Sequence, residues 1–181
     1  MRKSGIGIAV SVAAGDWPPE AELRRIAESA VAAAVAALDS QGSGRFSPHP
    51  GPPPQGGRES RPQGRREGAE VSILFTDDAA MKLLNAEYRG KDRPTNVLSF
   101  PQGAGPLLGD IVLAAETVGR EAALAEKPLT HHIAHLLIHG FFHLIGYDHD
   151  ADEDAEAMEE LERAALSRLG IPDPYAAPQE R

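Results

Sequence analysis

The chain has 181 residues, 41% hydrophobic and 25% charged, a composition that suits one soluble globular domain with a real core. It contains no cysteine, which excludes disulfides, thiolate zinc sites and a cysteine nucleophile; any transition-metal site must use His and carboxylates. A net charge of -9 argues against a broad nucleic-acid-gripping surface, so an RNA-acting reading needs a local basic patch or a partner.

Met1-Arg2-Lys3 ahead of Ile6–Ala14 has the outline of a short secretory signal, with Val12-Ala13-Ala14 as its cleavage site. Ile6, Ile8, Val10 and Val12 alternate with small or polar residues, however, and this period of two predicts a half-buried strand. Pro18-Pro19-Glu20 then opens an alanine-rich helix to about Leu38, with Leu23, Ile26, Ala27, Ala30, Val31 and Ala34 on its apolar face. Residues 40–69 are dominated by Gly, Pro, Ser, Gln and Arg and read as a low-complexity, disordered insertion. Its arginines, Arg58, Arg61, Arg65 and Arg66, read as a solvated linker.

A strand is predicted at Glu70–Thr76, followed by a helix capped by Asp77 or Asp78 and running to about Tyr88. The polar loop Arg89–Thr95 leads to a strand at Asn96–Phe100, a turn at Pro101–Pro106 and a strand at Leu108–Ala115. A short helix is expected around Glu116–Ala125 and a longer one from His131 to about Ile145, stopped by Gly146. The acidic stretch Asp148–Asp154 opens a last helix that ends near Gly170-Ile171-Pro172. No apolar run approaches the ~18–20 residues of a membrane span. Strands come early, helices late, and no repeated βαβ unit stands out. The expected fold is therefore α+β: a small mixed sheet packed with helices around a histidine-bearing central helix of zincin-like character, in a single domain over residues 1–181.

Five of the seven histidines lie within His131–His143, and His149 follows shortly after. On a helix, Ala134, Leu137, Ile138, Phe141, Phe142 and Ile145 form one stripe, with His135, His139 and His143 in a second stripe beside it. His139 and His143, one turn apart, can point at one ion, and Gly146 can take the positive φ that turns the chain back so that His149 completes the set. Three histidines with an open fourth position describe a catalytic zinc ion more than a structural one. His135, one turn earlier, reads as a supporting or packing residue, with a fourth ligand as the alternative. Asp148 and Asp150 can orient an imidazole or cap the next helix. The spacing His-x3-His-x2-Gly-x2-His is that of zinc peptidases built on His-Glu-x2-His, but Gly140 stands where the catalytic Glu would be.

The segment His139-Gly-Phe-Phe-His143-Leu-Ile-Gly146-Tyr-Asp-His149 resembles the YbeY family of bacterial rRNA-maturation endoribonucleases. So do Tyr88-Arg89-Gly90-Lys91-Asp92-Arg93-Pro94-Thr95-Asn96-Val97-Leu98-Ser99-Phe100-Pro101 and, between them, Leu108-Gly109-Asp110-Ile111-Val112-Leu113. The resemblance as a whole covers roughly residues 70–175; the first strand and helix are similar only in character, and the insertion departs from the compact form. The resemblance implies a single-strand-specific endoribonuclease with one Zn2+ on His139, His143 and His149. It implies action in 16S rRNA 3′ end maturation and ribosome quality control, in the cytoplasm. Its partners would be precursor 16S rRNA, the small ribosomal subunit and assembly factors, with neither DNA nor membrane. It also gives Arg89 a role in activity, alongside His139. Arg89, Lys91 and Arg93 form the densest positive cluster outside the insertion, and a guanidinium suits a phosphodiester; without the resemblance they read as a solvated loop. Asn96 and Ser99 can support the site or merely pack the strand.

Direct attack of water on phosphorus and attack by the ribose 2′-hydroxyl are both compatible with these residues. Two other functions compete: a metal-dependent peptidase or other hydrolase, suggested by the histidine spacing, and a non-catalytic, zinc-stabilised ribosome-assembly factor, consistent with the acidic surface.

Overall fold

The computed structural model describes residues 6–40, 68–102, 106–148 and 152–176. Most of the predicted insertion, residues 41–67, lies outside these. The N-terminal alternation does form a strand, β1 (Gly7–Val12), in parallel register with β2 (Glu70–Thr76), Val10 lying opposite Ile73. Two further strands, β3 (Val97–Pro101) and β4 (Leu107–Ala114), complete a mixed sheet of order β1-β2-β4-β3. β4 runs parallel to β2 and antiparallel to β3.

Among the described residues there are five helices: α1 (Glu20–Ser40), α2 (Asp78–Arg89), α3 (Ala115–Leu124), α4 (Leu129–Leu144) and α5 (Asp152–Arg168). The small face of α1 (Ala27, Ala30, Ala34, Ala37) is buried against α4 and α5, where short side chains let helices approach closely. The main core joins these three helices to Val71, Ile73, Phe75, Ile111 and Leu113 of the sheet. A second cluster, Met81, Leu98, Val112 and Ala114, lies where α2 packs on β4. With both neighbours paired, Ile111 through Ala114 of β4 are buried along their length, as expected for a strand covered on both faces.

The fold is α+β with a small mixed sheet. One detail of the sequence reading is corrected: β1 and β2 are joined through α1 as parallel neighbours, and β2 returns to its parallel neighbour β4 by way of α2 and β3. Long sequence separation in the first crossover and an intervening edge strand in the second hid both from a pattern of consecutive elements. The cap choice at α2 is settled by roles. Asp77 accepts from Ala80 N at 2.8 Å, whereas Asp78 accepts from Thr117 N and Thr117 Oγ at 3.0 and 2.9 Å, tying α2 to α3.

Candidate metal centre

α4 is the central helix, with Ile133, Leu137, Ile138, Phe141 and Phe142 fully or almost fully buried. That burial fixes its rotation and so fixes where the histidine stripe points. Gly140 allows the closest approach to the sheet: a Cβ there would lie 3.0 Å from both Ile111 Cγ2 and Ser99 Oγ. Ser99 Oγ–H donates to the Gly140 carbonyl at 3.3 Å, so β3 is held on α4 beside His139.

The structure brings His139 and His143 together. Their Nε2 atoms are 3.0 Å apart, with ring planes at 79°. Each ring is also held by its other nitrogen. His143 Nδ1–H donates to the Tyr147 carbonyl at 2.9 Å, and His139 Nδ1–H donates to Glu162 Oε1 at 2.8 Å. A carbonyl and an ionised carboxylate can only accept, so these partners place a proton on each Nδ1 and leave each Nε2 with its lone pair when the ring is neutral. Two lone pairs facing each other at this distance repel unless a cation, a proton or a metal ion, is shared between them. Nitrogens bound ~2.0–2.1 Å from one tetrahedral zinc ion would be roughly 3.3 Å apart, close to the spacing found. A histidine whose second N–H is tied to a carboxylate or carbonyl is also the form in which imidazole ligates zinc. The donor set therefore fits a zinc ion.

Gly146 has φ +98°, in the region glycine favours, and starts the turn that carries the Tyr147 carbonyl back onto His143. The predicted third ligand, His149, lies outside the described residues. Among the described residues no group of three potential ligands is assembled.

His135 turns away from the pair. Its Nε2–H donates at 2.9 Å to Glu162 Oε2, which also accepts from the Tyr175 hydroxyl. Glu162 is 1% exposed. Burial alone would raise its pKa, but hydrogen bonds from His135 and His139, the His139 charge and the Tyr175 hydroxyl outweigh it, holding the carboxyl at about 2. Tyr175 is pushed far up, by burial first and by the adjacent Glu162 second.

Arg89 is the last residue of α2 and is exposed, on an element separate from the histidines. The loop after it is cinched to the helix: Lys91 N donates to Asn85 O at 3.2 Å, and the Asn85 amide, 2% exposed, donates to Arg93 O at 2.7 Å. Lys82 and Asp92 form an ion pair at 3.5 Å, while among the described residues no carboxylate pairs with Arg89, Lys91 or Arg93. The loop feeds β3, the strand held on α4 by Ser99. Asn96 has a packing role, its amide donating to Glu121, whose Oε2 also accepts from His132 Nε2–H at 2.8 Å.

Sequence reasoning missed Glu162, Tyr175 and Asn85. Glu162 had a signal: it falls on the buried stripe of α5 with Met158, Leu161, Ala165 and Leu166. Asn85 likewise shares the inner face of α2 with Met81.

Fold and site together define a small α+β protein whose central helix brings two imidazoles together, their Nε2 atoms 3.0 Å apart. A family model described as Endoribonuclease YbeY matches residues 59–170. Proteins named Endoribonuclease YbeY include one from Sinorhizobium medicae (strain WSM419), 48% identical over 95% of this chain and 96% of its own length. Another, from Nitrobacter hamburgensis, is 58% identical over 62% of this chain and 64% of its own. The chain belongs to the endoribonuclease YbeY family. The first of these alignments extends the likeness well beyond the motifs read from the sequence, to nearly the whole chain. The solution structure of TM1509 from Thermotoga maritima shares the fold, with a TM-score of 0.52 at 20% identity, over 96% of this chain and 99% of that one.

Proposed function

We propose that this protein is a zinc-dependent, single-strand-specific endoribonuclease acting in 16S rRNA 3′ end maturation and ribosome quality control. The observation that carries the reading is the His139–His143 pair, with both Nδ1 atoms tied to acceptors and both Nε2 atoms 3.0 Å apart. Family membership supports RNA as the substrate class.

His139 and His143, with His149, would hold the ion, which when bound supplies Lewis-acid activation of water and of a phosphoryl oxygen. Glu162 and the Tyr147 carbonyl keep the two rings from turning. Arg89, with no carboxylate partner among the described residues, is available to hold a phosphodiester through paired hydrogen bonds and to stabilise charge gathering on its oxygens. At a net charge of -9 the remaining surface gives RNA little general attraction. Recruitment through the small ribosomal subunit and its assembly factors, in the cytoplasm, fits that weakness. No helix among the described residues is long and apolar enough to cross a membrane.

A peptidase of the same histidine spacing carries a carboxylate at position 140, where even a Cβ would press on Ile111 and Ser99 at 3.0 Å. The test is to offer the zinc-loaded chain unstructured RNA, duplex RNA and casein in parallel. The expected outcome is cleavage of unstructured RNA alone, abolished by His139→Ala. An assembly factor without catalysis would leave all three substrates intact, and a peptidase would cut casein.

A further inference from the structure

Glu162 lies on α5, remote in sequence from the histidines, yet both its oxygens are engaged with α4. Oε1 accepts from His139 Nδ1–H at 2.8 Å and Oε2 from His135 Nε2–H at 2.9 Å. The carboxylate thus bridges two imidazoles one helical turn apart. Its second oxygen is held again by the Tyr175 hydroxyl, and the Tyr175 segment is itself fastened to α5. The Arg163 guanidinium stands 5.1 Å from the Tyr175 ring centroid, Arg163 Nε pairs with Asp173 at 3.4 Å, and Tyr175 N donates to Asp173 Oδ1 at 2.8 Å. A carboxylate doubly held through one oxygen cannot swing the other away from its partner. At 1% exposure no bulk water competes for it, and in such a dry setting each bond is stronger than at the surface.

We infer that Glu162 is a positioning residue for the metal centre: braced by His135 and Tyr175, it fixes His139 with its proton on Nδ1 and its lone pair on Nε2 directed at the shared cation. His135 is then the brace of the carboxylate and not a spare ligand. Met158, Leu161, Ala165 and Leu166 bury this face of α5 in the core, so the length of Glu162 and the docking of the helix set the ring's orientation together. The metal part of this inference rests on the zinc reading given above; the tautomer part does not.

The experiment uses the full chain, with zinc ions as the probe. In the metal-free wild type, long-range 1H–15N correlation of the histidine rings at pH 8 should find His139 protonated on Nδ1. Glu162→Gln, which keeps the shape and removes the charge, should retain the fold by circular dichroism, lose the single-tautomer pattern, and bind zinc ~10–100-fold more weakly in competition with a chelator. Glu162→Asp, which keeps the charge but shortens the reach, should not restore wild-type affinity. A folded Glu162→Gln chain with wild-type tautomer and wild-type zinc affinity would overturn the inference. So would a wild-type His139 with a bare Nδ1, a result that needs no variant to fold. A wild-type chain that bound no zinc would refute the metal reading, while the ring spectra would still decide whether Glu162 sets the tautomer.

Discussion

Substituting Gly140 by Ala sets two effects of known sign against each other. In a helix interior, Gly→Ala is worth about 1 kcal/mol in favour of the folded state. Here the added Cβ would meet Ile111 Cγ2 and Ser99 Oγ at 3.0 Å and Ile111 Cδ1 at 3.3 Å. Ile111 has no exposure and is paired on both sides, with Ile73 of β2 and Ser99 of β3, so it cannot retreat. Overpacking of this kind costs about 1–3 kcal/mol. Displacing Ser99 also loosens its bond to the Gly140 carbonyl, worth about 1 kcal/mol. The loss outweighs the propensity gain, leaving Gly140→Ala less stable by roughly 1–3 kcal/mol, read as a lower urea midpoint at unchanged slope. Gly140→Glu, which adds a buried charge, should be worse and should gain no peptidase activity. A Gly140→Ala chain as stable as the wild type, or more so, would refute the close packing of α4 on the sheet, and with it the steric case against a peptidase.

Arg89→Ala should lower RNA cleavage by ~10²–10³-fold while shifting stability by no more than about 0.5 kcal/mol, because Arg89 is exposed and unpaired among the described residues. Parallel turnover and thermal-melt measurements check both halves. Asn85→Ala removes the buried donor to the Arg93 carbonyl and should cost about 0.5–1.5 kcal/mol in a denaturant titration, with loss of cleavage as the Arg89 loop loosens. The Glu162 carboxyl has its pKa lowered from 4.5 to about 2, so its contribution to stability is present above about pH 4.5 and is lost as the pH falls towards 2. Acid unfolding of the wild type and of Glu162→Gln should therefore differ in that window, with only the wild type carrying this loss.

Much of this molecule is written in local patterns. The small-residue face of α1 and the apolar stripe of α4 each match a buried surface in the fold, and the period of two over Ile6–Val12 matches one in part, with Val10 buried, Ile6 and Ile8 half-buried and Val12 exposed. Gly146 and Gly140 were legible for different reasons: one needs a positive φ, the other interrupts a known spacing with a residue that lacks a side chain. The close approach of α4 to Ile111 and Ser99 could not be read, since it depends on two strands, β4 and β3, roughly 30–40 residues away. Glu162 was hidden by company. It is one of several glutamates in α5, and only its place on the apolar stripe separates it from the solvated ones. The two parallel crossovers were hidden because a strand's neighbour is chosen by sheet pairing and not by sequence order. Arg89 gained meaning from family resemblance; its chemistry alone is that of an exposed cation at a helix end, where it complements the dipole.

In the proposed function, the paired imidazoles of His139 and His143 hold the metal on which RNA cleavage depends. Stripping the full chain with a chelator and titrating zinc back, with bound metal and cleavage of unstructured RNA followed in the same samples, tests it most directly. Cleavage should be absent without metal and should rise in step with binding, reaching its plateau at one zinc per chain, and His143→Ala should show neither. Full cleavage by the stripped chain, or by His143→Ala, would contradict the account.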